Sequence, residues 1–432
     1  MPIELTDSVI ADLELLLGIG LILFIFFYLV ARQPVVGLVC FIFLVLTRAH
    51  EYIPHSEMFR PSVIVGLIML AGLFLNLLVT RQTLYFTGTQ SLLLVVFIAF
   101  CWISLFAQGQ TIYGPSRRLM IEPLLLVSVS FFVTLNAVRS LRDFRIVLLT
   151  LFVSGITIAL LTLIQSFLTG IMYGYEWIYE SGGDLFTRAG SVGINPNGVA
   201  ITLTALLPLV FFLFDNKRNA AFLKTFYLVN IFLFVLVTLF TYSRAGFVNL
   251  IVAFILIFRK RLGFKYVIGL ALLMIAIYNI MPNAFWERMA SPGSTDITGQ
   301  GRLLIWQAAL NMIQTHPLNG VGYAQFPFYL SHYSGEIRKA LSPHNTYLGI
   351  AAETGLISLA VFLSLILATF FDLRQLMRKN LPITDIWVAQ ASDVLNAGFI
   401  IILISGLTDD ITGWILLYIY IALIVILKRI AQ

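Results

Sequence analysis

Four residues of this chain are of types that hold or move charged groups, and they stand where such types are scarce. They are Arg188, Arg244, Arg302 and His344, each beside an apolar run or in the long polar stretch between two of them. A guanidinium presents a planar fork of donors that suits phosphate oxygens. Histidine has an unperturbed pKa of about 6.5 and can take a proton from a hydroxyl at neutral pH. The strings around these residues add helix starts. Asn195-Pro196-Asn197-Gly198 puts a good cap before a proline suited to the first helical position, Ser243 suits a cap before Arg244, and His344-Asn345-Thr346 opens the next apolar run directly after Pro343. Three helix N-termini with unpaired N–H groups, combined with arginines, make a site for phosphate. The plainer reading of the same residues is three ordinarily capped helices below arginines that anchor in lipid headgroups. Asn195, Asn197, Ser243 and Asn345 are the polar residues that would support either arrangement.

The elements that must position these residues are read from composition. Hydrophobic residues make up 59% of the chain and charged residues 11%, where a soluble domain carries about 25% charged residues. A span needs about 20 mostly apolar residues. Candidate spans lie near 11–31, 35–48, 62–79, 90–107, 121–138, 146–169, 198–214, 222–241, 245–258, 264–281, 346–371, 390–407 and 412–427. The pattern predicts an all-α polytopic membrane protein of about twelve spans, with 35–48 as half of a tilted or re-entrant hairpin with the first run. It forms one integral domain: an N-terminal bundle over 1–281, a large loop over 282–345 and C-terminal helices over 346–432. The acidic start (Glu4, Asp7, Asp12, Glu14) lacks the basic region of a cleavable signal peptide.

Orientation follows from basic clusters, which stay in the cytoplasm. Arg139, Arg142 and Arg145 mark one such loop; Lys217-Arg218, Arg259-Lys260-Arg261, Arg374 with Arg378 and Lys379, and Lys428-Arg429 mark others. Two spans separate successive clusters, so 170–197, 241–245, 282–345 and 408–411 face outward and the C-terminus is cytoplasmic. Arg32, Arg48, Arg60 and Arg81 leave the N-terminal side open. Arg117 and Arg118, before the span at 121, are further candidates for the outer face. The net charge of +6 is largely this cytoplasmic bias, and no basic-aromatic module for nucleic acid is present. Cys40 and Cys101 both fall in spans and imply no disulfide framework.

Within the loop, Leu303, Trp306, Leu310 and Ile313 share one helical face, as on a helix lying along the outer interface. Tyr323, Phe326, Phe328 and Tyr329 follow, able to stack on sugar or anchor in headgroups. His50, His55, His316 and His332 have no metal-ligand spacing with each other or with His344, and they read as ordinary loop or helix-end residues. Asp184, Glu353, Asp409 and Asp410 are the carboxylates that could assist His344. Glu353 lies inside a span, where an ionisable group costs about 2.5–3.5 kcal/mol on insertion scales and so needs a polar partner.

The sequence resembles the O-antigen ligase superfamily, which also holds O-antigen and exopolysaccharide polymerases. The resemblance rests on five strings: Arg188 through Asn195-Pro196-Asn197, Thr241-Tyr242-Ser243-Arg244-Ala245-Gly246, Gly301-Arg302 through Trp306, His316-Pro317 through Gly320-Val321-Gly322, and Pro343-His344-Asn345-Thr346-Tyr347. Gly406 through Asp409 also fits, and the likeness covers about 190–410. It implies a GT-C-like membrane glycosyltransferase of the bacterial inner membrane, working on its periplasmic face without metal or cofactor. The donor would be an undecaprenyl-diphosphate-linked glycan. The acceptor would be lipid A-core in a ligase, which the single compact outer loop favours, or a second lipid-linked glycan in a polymerase. By the same likeness His344 activates the acceptor hydroxyl, and Arg244 and Arg302, with Arg188, hold the diphosphate. A transporter is the alternative of another class, but the chain shows neither paired repeats with interrupted helices nor an intramembrane carboxylate relay.

Overall fold

Apolar runs become helices here because, in hydrocarbon, each backbone N–H and C=O must bond within its own segment. A computed structural model of the chain describes residues 7–53, 60–86, 88–107, 115–168, 178–181, 184–187, 190–191, 194–215, 219–259, 268–269, 275, 277–279, 281, 283–290, 300–335, 337, 340–378 and 386–432. The helices are α1 (Asp7–Arg32), α2 (Pro34–Thr47), α3 (Pro61–Thr80), α4 (Thr89–Ala107), α5 (Pro115–Ala137), α6 (Leu141–Leu168), α7 (Pro196–Asp215), α8 (Ala221–Phe240) and α9 (Arg244–Phe258). Three loop helices follow: α10 (Asn283–Ala290), α11 (Gln300–Thr315) and α12 (Phe326–Ser334). The chain closes on α13 (Thr346–Arg378), α14 (Ile386–Ser405) and α15 (Ile415–Ile430). A small antiparallel hairpin, β1 (Ile178–Ser181) with β2 (Asp184–Thr187), pairs Ile178 with Thr187.

The protein is a multi-pass membrane protein. Among the described residues seven helices are long and apolar enough to span, or eight if the bent α1–α2 pair is one span. The expected count of about twelve also included short elements. Helices α2, α9 and α15 have 14, 15 and 16 residues, about 21–24 Å at 1.5 Å per residue, below a core of about 30 Å. The predicted span at 264–281 lies largely outside the described residues. Helices α1 and α2 meet at 120°, as the hairpin reading anticipated. Val30 of α1 packs against both α2 and α3: a Cβ on Gly37 would approach it to 2.8 Å and one on Gly72 to 2.6 Å.

Helix α15 is the centre of the bundle, with every residue from Ile415 to Leu427 buried. Its Tyr420 hydroxyl donates to the Ala205 carbonyl of α7 at 2.9 Å. Gly398 of α14 makes room for that ring. Outward, α3 and α8 expose Phe74, Leu78, Phe222 and Phe232, a surface for lipid.

The bundle has two distinct ends. At one, Arg429 donates to the Leu135 and Val138 carbonyls and Lys428 bonds Asp372. Arg259 there bonds Asp393 at 3.0 Å, and Arg145 lies over the Trp387 ring. The basic clusters around 139–145, 259 and 428–429 thus gather on one side. The capped starts of α7, α9 and α13 lie on the other.

The loop is clamped into a break in α13. At Gly355 the helix is interrupted, with φ 87° and ψ 168°. The carbonyls this releases, Ala352 and Glu353, accept the N–H groups of Val321 and Gly322, both at 2.9 Å, and Leu356 N–H donates to the Pro317 carbonyl at 2.8 Å. The Glu353 side chain accepts the N–H of Ala324 at 3.0 Å and of Phe326 at 3.1 Å. These donors are the polar partners that its place in a span requires, and they give it a role in the loop rather than beside His344.

Helix α11 has two apolar faces. It buries Ile305, Ala308, Ala309 and Met312 against Val321, Phe326 and Leu330, while Leu303 is 65% and Leu310 49% exposed. Two alanines carry little weight in a hydrophobic pattern, yet small residues let α11 pack closely on α13. The face expected at the membrane interface points away from this packing, with Trp306 and Ile313 at its border.

Gly355 carries the test of this clamp. A Cβ there would stand 1.9 Å from the Leu318 carbonyl oxygen. Gly355→Ala is expected to destabilise the detergent-solubilised protein by at least about 3 kcal/mol. Gly18→Ala, in open space on α1, should shift the unfolding temperature slightly and upward. Equal unfolding temperatures for both variants would refute the clamp.

Candidate active site

His344 lies next to the end of the loop and is fixed from both sides. Its φ is +47°, a left-handed conformation that costs a non-glycine residue on the order of 1–3 kcal/mol and needs surrounding structure to hold it. Before it, Pro343 packs over Gly349, where a Cβ would come within 2.9 Å. The Pro343 carbonyl accepts the indole N–H of Trp306 at 3.1 Å. After it, Asn345 Oδ1 caps α13 by accepting the N–H groups of Tyr347 and Leu348 at 3.0 and 3.1 Å. Thr346 N–H donates to the Gly406 carbonyl at 2.8 Å. The Thr346 hydroxyl donates to the Asp409 carbonyl and accepts from Ile411 N–H, each at 2.9 Å.

These bonds press the turn between α14 and α15, residues 406–414, against the start of α13. From that turn Asp409 faces the imidazole, its Oδ1 3.9 Å from His344 Nδ1. This is ion-pair range, longer than a hydrogen bond. Nδ1 and Asp409 Oδ2 are both buried without a hydrogen-bond partner among the described residues. With Nδ1 buried, the accessible part of a side chain that is 33% exposed lies elsewhere on it. The neighbouring Asp410 accepts Thr412 N–H at 2.9 Å. Burial raises its carboxyl above the usual range, and the Thr412 hydrogen bonds oppose that shift.

The other helix starts join this turn. Asn195 Oδ1 caps α7 by accepting Gly198 N–H at 2.7 Å. Ser243 Oγ caps α9 by accepting Gly246 N–H at 3.1 Å, and donates to Asn197 Oδ1 at 2.9 Å. Asn249, further along α9, donates to Ser405 Oγ at the end of α14. A Cβ on Gly198 would meet Trp414, the residue before α15, at 3.5 Å. Four helix N-termini, those of α7, α9, α13 and α15, therefore surround residues 406–414 and direct their positive ends toward it. Sequence reading found three. The fourth begins at Trp414, which is not a capping type and gives no local signal.

Of the predicted arginines, Arg244 opens α9 and is partly buried. Arg302 lies one turn before Trp306 on α11, so the two share a helix face, and Trp306 is the residue that bonds Pro343. Arg188 lies outside the described residues, as does the Asp184 side chain. Asn195, Ser243 and Asn345 are taken up by helix starts and Asn197 is held by Ser243, so they build the frame of the site. Tyr323 and Phe326 are buried, which removes them as sugar-stacking candidates, while Phe328 is 53% exposed. His316 Nδ1 bonds Thr315 Oγ1 and the Tyr333 hydroxyl at the end of α11, the helix-end position expected for it.

Residues 229–363 match the O-antigen ligase family model. That segment runs from within α8 through the loop into α13, and it includes Arg244, Arg302 and His344. A protein of Rickettsia bellii (strain RML369-C) that carries the provisional name polysaccharide ligase is 29% identical over 221 residues, which is 47% of this chain. The chain spans 53% of that relative's length. The family match ends before Asp409, so the partner of His344 comes from outside the ligase-family segment.

Proposed function

We propose that this chain is a glycosyltransferase that moves a glycan from undecaprenyl diphosphate to an acceptor hydroxyl on the periplasmic face of the inner membrane. The observation that carries this is the His344–Asp409 pair, set among four helix N-termini and beside the elements that bear Arg244 and Arg302. The family match and the Rickettsia relative support a ligase or polymerase of glycans. Lipid A-core is our first choice of acceptor; a second lipid-linked glycan would make the same site a polymerase.

In this reading Nε2 of His344 takes the proton of the acceptor hydroxyl as its oxygen attacks the anomeric carbon. The bond from that carbon to the phosphate oxygen breaks on the opposite side, with inversion, and the diphosphate leaves as an anion. Asp409 holds the tautomer and stabilises the imidazolium. Fixed guanidiniums and helix dipoles stabilise the leaving charge better than water because they need little reorganisation. Arg188 joins them by the family likeness.

Reconstitution with carrier-linked glycan and acceptor tests the reading: a new glycosidic bond marks a transferase, and product size separates one transfer from many. His344→Ala should fold and bind donor normally while transfer falls by about two to four orders of magnitude, with His344→Gln giving no rescue. Asp409→Asn should also lower kcat at near-normal donor binding, since an amide neither fixes the tautomer nor balances the imidazolium. Transfer that persists in folded His344→Ala would end the assignment.

Lysine should replace Arg244 and Arg302 poorly despite equal charge, because it lacks the bidentate fork. Weaker binding of undecaprenyl diphosphate is the expected readout, and unimpaired binding in the double lysine variant would reduce both residues to headgroup anchors. Cysteines placed in 282–345 should react with an impermeant thiol reagent applied from the periplasmic side, and cysteines at 374–380 should be protected. The reverse pattern would overturn the orientation.

A further inference from the structure

An apolar groove of about 510 Å³ runs between α3 and α5, backed by Phe41 of α2. Gly66 forms part of its floor, where an added Cβ would already approach the Phe41 ring to 3.3 Å. Leu67, Leu70, Leu125 and Val129 line its length. Leu67 and Leu125 are more than half exposed, so the groove opens sideways, as a slot open to the bilayer would. Two charged residues line one end of it, Arg60 just before α3 and Glu122 near the start of α5.

That charged mouth lies at the His344 end. The opposite end of the α3–α5 pair is tied by Tyr85 N–H to Asn136 Oδ1 at 2.7 Å and meets Arg429. Pro123, next to Glu122, packs on Gly413, where a Cβ would stand 3.3 Å from it. Gly413 belongs to the same turn as Asp409. A second cavity of about 240 Å³ adjoins the groove across Leu126, which lines both, and its wall includes Arg48, Asn195 and Trp414. The groove therefore ends beside the turn that supplies the partner of His344.

We propose that this groove seats the hydrocarbon chain of the acceptor, an acylated and phosphorylated glycolipid; the proposal rests on the glycosyl-transfer reading above. Transfer between two lipid-borne partners needs two hydrocarbon sites that both reach one base. The donor diphosphate belongs with Arg244 and Arg302 on α9 and α11, whereas the groove reaches the 406–414 turn through α5. The mouth chemistry agrees. A guanidinium suits the phosphate of a glycolipid and a carboxylate accepts from sugar hydroxyls.

Native mass spectrometry of the purified full-length protein tests this, with core-bearing lipid A and undecaprenyl diphosphate as the two probes. Leu67→Trp and Leu125→Trp put an indole into the groove at exposed positions, and Leu78→Trp, exposed on α3 but outside the lining, is the control. Each groove variant should retain lipid A at least about tenfold more weakly, a change of about 1.4 kcal/mol, with carrier binding unchanged and Leu78→Trp like the wild type. Arg60→Glu should weaken lipid A retention in the same direction, and in transfer assays the groove variants should raise the acceptor KM with kcat kept. Lipid A retention unaffected by the indoles, absent in the wild type, or lost only together with the carrier would overturn the proposal, and loss of the carrier alone would give the groove to the donor. Binding is read without turnover, so failure of the wild type to transfer glycan would sink the transferase reading and leave the binding result to be judged separately.

Discussion

A helix that starts in apolar surroundings must satisfy the N–H groups of its first turn without bulk water. Around residues 406–414 four helices start, three of them with side-chain caps, and the rest of the His344 end follows from this. Asn195, Ser243 and Asn345 each accept backbone donors at a helix start, and Thr346 stitches α13 to the turn through three bonds. Capping satisfies individual donors without removing the positive ends of the helices, so a frame built for backbone reasons also favours an anion. The same frame aims Asp409 at His344. Structural bonding and the proposed chemistry are thus two uses of one arrangement.

The left-handed backbone of His344 belongs to that arrangement. Histidine tolerates a φ of +47° better than most side chains, and here it is held between Pro343, fixed by Trp306 and Gly349, and Asn345, committed to its cap. The backbone that carries the ring is therefore set by loop and bundle together. For the proposed base this is where positioning would contribute to rate, since its backbone is already ordered before substrate arrives.

What the sequence disclosed and what it hid divide along physical lines. Caps were legible because Asn195-Pro196, Ser243 and Asn345 are local signals, and each was found bonded as its type predicts. Basic clusters were legible as one end of the bundle because charge has to leave the hydrocarbon. Glu353 was legible as a carboxylate in need of a partner, but its partners, the N–H groups of Ala324 and Phe326, come from a fold-back that periodicity does not encode. The packing face of α11 was not legible because Ala308 and Ala309 count for little on a hydropathy scale while deciding how closely helices approach. Asp409 could be named as a candidate but not chosen over Glu353, since that choice depends on which helix ends are neighbours in space.

The break in α13 bears on how this protein can be taken apart. Residues 317–326 complete the hydrogen bonding of a membrane helix, and a carboxylate inside that helix completes theirs. Loop and helix are thus halves of one folded unit despite being separable as sequence. A chimera that exchanges the loop between relatives would strand Glu353 and two carbonyls in hydrocarbon unless the stretch around Gly355 moves with it. The natural unit of exchange therefore extends past the loop to at least Leu356.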